Sequence, residues 1–173
     1  MRQKKAVTPE ILKGVDLFKG LNDGQLAKIA GLCHVYPMHE GEQVFTEGTR
    51  ATDLHICRSG KVNIIIWVRE PWNKNVVVHQ AEPGEVFGWS ALVAPFTYTA
   101  SAECVASGEQ ISASGHEMLA TLDRHPDIGY VIMTNLSAEV SARLMQTRQR
   151  LSIEWLSSGW PTSSGTWGET GKR

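Results

Sequence analysis

The chain carries almost no excess of charge of either sign. Its 17 Lys and Arg residues oppose 18 Asp and Glu residues, for a formal net charge of -1. Non-specific nucleic-acid binders and membrane-surface proteins depend on clustered Lys and Arg. Because its charges are balanced, this chain lacks a broad electrostatic attraction to nucleic acids or membrane surfaces. The late basic residues Arg143, Arg148 and Arg150 form a short cluster of the kind usually found on a solvated helix face.

Long apolar runs are also lacking. The most apolar short stretch, Val62 to Val68, contains Asn63 and is followed by Arg69, so it falls far short of the roughly 20 apolar residues that span a bilayer. The basic first residues run into Val7-Thr8-Pro9 instead of the apolar core of a secretory signal. We therefore expect no transmembrane helix and a cytoplasmic location.

Cysteine is scarce. Cys33, Cys57 and Cys104 are odd in number, widely separated and without CxxC spacing. A disulfide framework or a zinc knuckle is not favoured by such a pattern. We expect three buried free thiols that behave as small apolar side chains.

Sequence motifs of catalysis are missing as well. Ser90 and Ser107 have no Gly-x-Ser-x-Gly context, and neither a P-loop nor GxGxxG occurs. The six histidines never form the His-x-His spacing of a metal-dependent β-barrel enzyme. The sequence predicts no catalytic residue, no metal and no resident cofactor. His55 and His79 lie on separate predicted strands, so they are the pair of histidines to check for a metal site.

What the sequence does contain fits one domain, since 173 residues are too few for two domains of average size. Thr8-Pro9-Glu10 has the signature of a helix start, with a capping hydroxyl and a proline at the first helical position. Asn22-Asp23 caps a second short helix that ends near Gly31.

The middle of the chain, about 33–113, is rich in short β-type runs. Glycine-containing turn signals separate them at intervals of roughly 8 to 12 residues, which is typical of a barrel or sandwich. The predicted strands are His34–Tyr36, Gln43–Thr46, Leu54–Cys57, Lys61–Val68, Asn75–Gln80, Thr97–Val105 and Glu109–Ser112. The predicted turns between strands include Ser59-Gly60 and Ser107-Gly108.

Two helices are predicted at about 115–156. The first runs from Gly115 to His125, and the second begins at Pro126 and continues to about Trp155. Its apolar stripe either packs on the barrel or forms a dimer interface between two long helices. Residues 158–173 have no periodicity and read as a flexible tail, which gives a predicted domain of residues 1–157. Ile128, Ile132, Leu136, Val140 and Leu144 form the stripe.

The order of these elements, from about 10 to 155, resembles the cyclic-nucleotide-binding domain of the catabolite-activator superfamily. The landmarks that carry the resemblance are Val15-Asp16-Leu17-Phe18, Gly41-Glu42-Gln43-Val44-Phe45, Ser59-Gly60-Lys61-Val62 and Pro83-Gly84-Glu85-Val86-Phe87-Gly88. The resemblance implies a mainly β fold: a jelly-roll barrel with short N-terminal helices and a long C-terminal helix.

In that family the segment equivalent to 87–102 is the phosphate-binding cassette, where a glycine turn feeds a one-turn helix whose N–H groups face the cyclic phosphate. The resemblance therefore implies a ligand site, which competes with a plain tight turn at Gly88. The candidate ligand-binding residues are Phe87, Gly88, Trp89, Ser90, Ala91, Leu92, Tyr98, Thr99 and Ala100.

Two positions depart from the family pattern. The Glu that holds the ribose is replaced by Trp89, and the Arg that pairs with the phosphate is replaced by Tyr98. Each lost charge-assisted contact costs about 1.5 to 3 kcal/mol, so ordinary cyclic AMP affinity is not expected. Hydroxyls from Thr97, Tyr98, Thr99 and Ser101 and the Trp89 ring are the available substitutes.

Three functional hypotheses remain open at this point. The first is a non-catalytic sensor domain that binds a cyclic nucleotide or a related anionic metabolite and signals through its C-terminal helix, as a homodimer. The second is a degenerate scaffold or dimerisation module without a ligand. The third is a truncated DNA-binding regulator that lacks its helix-turn-helix. Fewer than 20 residues follow Leu156, which are too few for that module. We therefore expect no nucleic-acid binding by this chain alone.

Overall fold

A computed structural model describes residues 5–157, with side chains to residue 153. Contacts group the chain into a unit Met1–Ala138 and a second unit Glu139–Arg173. The expected tail, 158–173, lies outside the described residues, and the domain limits 1–157 stay a prediction.

The described chain contains seven strands, four α-helices and two single-turn 3-10 helices. The strands are β1 Lys5–Ala6, β2 Cys33–Met38, β3 Gln43–Phe45, β4 Asp53–Val68, β5 Lys74–Ala81, β6 Val86–Phe87 and β7 Ser101–Ser114. The α-helices are α1 Pro9–Leu12, α2 Asp23–Ala30, α3 Gly115–Arg124 and α4 Pro126–Ser157. The 3-10 helices span Asp16–Phe18 and Trp89–Leu92.

Local capping explains why the helices begin where the sequence predicts. Asn22 and Gln25 form a capping box: Gln25 N donates to Asn22 Oδ1 at 3.0 Å, and Asn22 N donates to Gln25 Oε1 at 2.9 Å. Ser114 caps α3 by accepting from Glu117 N. The predicted helices at both ends of the chain are confirmed.

The strands form one antiparallel sheet with the order β1-β2-β7-β4-β5, while β3 pairs with β7 and β6 pairs with β4. The prediction of a mainly β fold with flanking helices is therefore confirmed. Along the described strands, the hydrogen-bonded path starts at β1 and ends at β5, so the sheet does not close into a ring.

Two predicted turns are wrong. Ser59-Gly60 lies inside β4 and Ser107-Gly108 lies inside β7, so each joins two runs that were predicted as separate strands. The two dipeptides face each other where the register shifts. A Cβ at Gly60 would lie 2.3 Å from Ala106 O, and one at Gly108 would lie 2.2 Å from Ser59 O. Glycine is needed there for close backbone approach.

Alternation along the strands separates two apolar cores. On one face, Leu54 and Ile56 of β4 and Ile111 and Ala113 of β7 pack with residues of the helices. On the opposite face, Cys57, Val62 and Phe87 belong to a second cluster. We call these the helix-side face and the opposite face.

The start of α4 belongs to the helix-side core, because Ile128, Ile132 and Leu136 are buried there. Asn135 Nδ2 donates to Leu17 O at 3.0 Å and to Lys19 O at 2.8 Å, which ties the helix to the N-terminal segment. In the second unit, the side chains of Val140, Leu144 and Leu151 are exposed. None of the described helices contains a stretch long and apolar enough to cross a membrane.

Candidate functional site

The turn at Gly88 has the conformation that the resemblance implies. Gly88 has φ +71° and ψ 22°, which is the left-handed region, and it directly precedes the 3-10 helix Trp89–Leu92. Ala91 N donates to Gly88 O at 3.1 Å, which closes the turn. A left-handed glycine followed by a single-turn helix is therefore present here, while the assignment of this segment as a phosphate-binding cassette stays a prediction.

The space beside Gly88 is occupied by protein atoms. A Cβ at this position would lie 3.0 Å from His55 Cδ2, 3.1 Å from Phe45 Cε1 and 3.3 Å from Asp53 O. An added Cβ would therefore press on β4 and β3, whether or not a ligand approaches the turn.

An aromatic cluster of Phe45, His55, Phe87 and Tyr98 surrounds the turn. Phe45 and Tyr98 stack with their ring centroids 3.9 Å apart and an interplanar angle of 7°. Phe45 also lies 5.5 Å from His55 and 6.0 Å from Phe87, and His55 lies 5.3 Å from Phe87. The three longer distances are typical of stabilising aromatic pairs, and the Phe45–Tyr98 stack is closer than these.

Tyr98 is held in this cluster by its phenol and by its backbone. Tyr98 Oη donates to Asp53 O at 2.9 Å and accepts from Asp53 N at 3.2 Å. Its N donates to Thr49 O at 2.9 Å, and Gly48 N donates to its carbonyl at 2.8 Å. Burial raises the pKa of the phenol, so that Tyr98 remains a neutral donor at the position where the resemblance implies an Arg.

The predicted site residues divide among different surroundings. Phe87, Gly88, Ala91 and Tyr98 meet around Phe45. By contrast, Trp89 and Leu92 contact the helix-side core, so the indole does not fill the space at the turn. Thr99 is exposed, while Ser90 and Ala100 are partly buried. Ligand binding by these nine residues stays a prediction.

A polar cavity of about 490 Å³ opens on the opposite face of the sheet, next to the aromatic cluster. Strand alternation creates it, because Tyr36, His55, Gln110 and Ser112 all project from this face. Tyr36 pairs with Gln110, and His55 pairs with Ser112, so four side chains meet across β2, β7 and β4. Val44, Phe45, Thr46, Thr49, Arg50, Thr52, Asp53 and Tyr98 complete the lining.

Gln110 is a polar side chain in a deeply buried position, with 2% of its surface exposed. Its Oε1 has no hydrogen-bond partner among the residues that the structure describes. Buried amide oxygens are almost always hydrogen-bonded in folded proteins. Gln110 is therefore a buried side chain whose carbonyl acceptor is unpaired among the described residues.

Arg50 is a cavity residue that the sequence did not point to. It is exposed, it pairs as an isolated bridge with Thr97, and it forms no ion pair with any other described residue. It lines both the polar cavity and a second cavity of about 300 Å³ near the start of α3. The bridge places a guanidinium-bearing residue beside Tyr98, although the two residues are far apart in sequence.

The other candidate groups have structural contacts. His79 Nε2 is 2.9 Å from Glu85 Oε2, while His55 belongs to the aromatic cluster. Within the part of the chain that the structure describes, no group of three His, Cys, Asp or Glu side chains could hold a metal. Burial raises the pKa of the Cys33 thiol to about 12 and that of Cys57 to about 11. As expected from the sequence, all three cysteines are buried free thiols.

Comparisons with known proteins agree with this fold. The family model described as cyclic nucleotide-binding domain matches residues 37–125, which include the Gly88 turn and Tyr98. A cyclic nucleotide-binding domain from Methylobacillus flagellatus KT has a TM-score of 0.78 at 15% identity, over 97% of this chain and 91% of that one.

Two further structures are similar at higher identity. A candidate cyclic nucleotide-binding protein from Geobacter metallireducens GS-15 is 28% identical with a TM-score of 0.70, over 80% of this chain and 98% of its own. The catabolite activator protein of Thermus thermophilus is 25% identical with a TM-score of 0.66, over 82% of this chain and 63% of its own.

Proposed function

This chain belongs to the cyclic nucleotide-binding domain family, and from that premise we propose that it is a non-catalytic regulatory domain whose ligand is a cyclic nucleotide or a related anionic metabolite. The ligand would occupy the polar cavity, which Tyr98 lines and the Gly88 turn does not. The cytoplasmic location expected from the sequence stays a prediction.

The observation that carries this proposal is the cavity with Arg50 in its lining. A volume of about 490 Å³ falls within the range of roughly 300 to 1,000 Å³ typical of small-molecule sites. Most of the lining residues are polar, and Arg50 supplies a cation without an ion-pair partner among the described residues.

Arg50 would supply the positive charge that the cassette itself lacks. An Arg guanidinium presents several donors that match phosphate geometry, so its position on a neighbouring loop can serve the same chemistry. The aromatic cluster, in contrast, leaves Tyr98 without a free phenol to offer, because both of its hydrogen bonds go to Asp53.

Isothermal titration calorimetry with cyclic AMP, cyclic GMP and other nucleotides up to millimolar concentration tests this proposal. Arg50→Ala should weaken binding of an anionic nucleotide by about 10- to 100-fold, since a hydrogen bond to a charged group contributes about 1.5 to 3 kcal/mol. Arg69→Ala is the matched control, because Arg69 is exposed near the β4–β5 turn and does not line the cavity. Equal losses in both variants would count against a site at Arg50.

A second candidate function is a scaffold that binds no small ligand. The observation that favours it is the aromatic cluster, which fills the space beside Gly88 where the family is expected to hold a phosphate. Thermal denaturation with the same nucleotides decides, because a ligand at 100 times its Kd raises the free energy of unfolding by about 2.7 kcal/mol. No shift in melting temperature with any nucleotide would support the scaffold.

In either case we propose that α4 is the surface for a homodimer. Val140 is 40% exposed, Leu144 50% and Leu151 48%, and such apolar exposure at helical spacing is typical of a helix that packs on a partner. Light scattering with size exclusion should give a dimer mass for the native chain. The combined substitution Leu144→Glu and Leu151→Glu should give a monomer, and an unchanged mass would refute this interface.

A further inference from the structure

We propose that the second cavity, near the start of α3, binds a small amphipathic monocarboxylate, an acid that carries one aromatic ring or a short alkyl chain. We call it the α3 cavity, and its volume is about 300 Å³. It shares Arg50 and Thr52 with the polar cavity, but its occupation by an acid does not depend on the nucleotide-binding function proposed above. The lining residues are Arg50, Ala51, Thr52, Ala91, Phe96, Ser114, His116 and Leu119.

Main-chain hydrogen bonds fix the segments that form the walls of the α3 cavity. Ala51 N donates to Phe96 O at 2.8 Å, which joins the segment before β4 to the loop after the second 3-10 helix. Gly115 N donates to Thr52 O at 2.8 Å, which attaches the start of α3 to the same segment. Because backbone groups hold the walls in place, the cavity is preformed and a ligand has little ordering cost to overcome.

The apolar part of the lining favours a ligand with a tail. Phe96 is 41% exposed, and its backbone has φ +57°, a left-handed conformation that bulky residues rarely adopt. Ala51, Ala91 and Leu119 line the cavity with it. Such apolar surface gains free energy when a ring or an alkyl chain covers it. An apolar cavity of roughly 150 Å³ can hold benzene, so about 300 Å³ has room for one ring with a short acid chain.

Arg50 and His116 determine the charge of the other end of the ligand. Neither residue forms an ion pair with another described residue, and none of the described residues that line the cavity is acidic. A guanidinium pairs with a carboxylate through two parallel hydrogen bonds, and an imidazole N–H adds a further donor. One guanidinium matches the single charge of a carboxylate, whereas a phosphate monoester carries nearly two charges at neutral pH. The lining therefore favours a monocarboxylate.

An NMR titration of the isotope-labelled native chain with 4-phenylbutyrate at millimolar concentration tests this site. The largest amide shifts should fall on Ala51, Ala91 and Leu119 of the α3 cavity, and not on Tyr36 and Ser112 of the polar cavity. The neutral analogue 4-phenylbutanamide lacks the charge, and butyrate lacks the ring. Each should therefore bind about 10- to 100-fold more weakly than 4-phenylbutyrate.

Two variants separate the charge from the tail. Arg50→Ala should weaken 4-phenylbutyrate about 10- to 100-fold and should change the amide little, so that the two compounds bind with similar affinity. Leu119→Trp should fill the cavity and abolish the binding of both compounds. The matched controls are Arg69→Ala and Met133→Trp, because both residues are exposed and neither lines the cavity.

The outcomes distinguish this site from the function proposed above. Shifts centred on the polar cavity, equal affinity of the native chain for the acid and the amide, or no shift at millimolar 4-phenylbutyrate would each overturn the inference, whatever the nucleotides do. If no nucleotide binds but 4-phenylbutyrate behaves as expected, the proposed function fails and this site stands. The three compounds are compared on the native chain, so a Leu119→Trp chain that does not fold leaves the test intact.

Discussion

Replacing Gly88 by Ala should destabilise the chain more than the same change at another left-handed glycine. An alanine in the left-handed region costs about 1–2 kcal/mol. The new Cβ would also meet His55, Phe45 and Asp53 at 3.0, 3.1 and 3.3 Å, and overpacking of this kind costs about 1–3 kcal/mol. The total loss in the free energy of unfolding should be roughly 2–5 kcal/mol.

Gly41→Ala is the matched control. Gly41 has φ +81° and no atom within 4 Å of an added Cβ, so this variant carries the conformational cost without the contacts. Urea denaturation of the three proteins, followed by circular dichroism, gives the two losses. For a chain of this size, each kcal/mol corresponds to about 2–4 °C in melting temperature.

The difference between the two variants reports on the space beside the turn. A loss at Gly88 that exceeds the loss at Gly41 by about 1–3 kcal/mol would be the cost of packing against β3 and β4. Equal losses would refute our reasoning, because they would mean that the aromatic cluster gives way freely and that the turn has room for a phosphate.

Two further predictions concern groups in the same unit. Tyr98→Phe should lower the free energy of unfolding by about 1–2 kcal/mol, because it removes both hydrogen bonds to Asp53 and keeps the stack on Phe45; an unchanged urea midpoint would show that these bonds contribute nothing. The free energy of unfolding should also fall as the pH rises from about 9 towards 12. Burial raises the pKa values of the Cys33 and Cys57 thiols above the ordinary value of 9.0. The stability that the two neutral thiols contribute is therefore complete below pH 9.0 and is lost as the pH rises above it. Cys33→Ala should flatten this dependence in urea titrations, and a curve as steep as that of the native chain would contradict the assignment.

The parts of the fold that the sequence predicted well depend on local signals. Asn22 and Pro126 mark helix starts through capping and a fixed φ, and both act within a few residues. Ile128, Ile132 and Leu136 reveal a buried face because their spacing matches the helical repeat.

The features that the sequence did not predict depend on pairing between residues far apart in the chain. Ser59-Gly60 has the composition of a turn, and only its pairing partner in β7 shows that the chain continues straight through it. Likewise, the Gly88 turn was predictable, whereas its contacts with Phe45 and His55 depend on how β3 and β4 reach it. Arg50 and Gln110 escaped notice for the same reason, although a Gln between Glu109 and Ile111 in a predicted strand is a signal of a polar inner face.

The close backbone approach at Gly60 and Gly108 fixes the alignment of the two longest strands, β4 and β7. Each glycine faces main-chain atoms of the other strand, which no side-chain rearrangement can move aside. Sliding β4 by one residue along β7 would bring Ser59 or Lys61 to this point and drive a Cβ into a carbonyl group. Of the neighbouring alignments only the native one avoids that collision, so the set of side chains that faces the cavity is selected at a point outside the cavity.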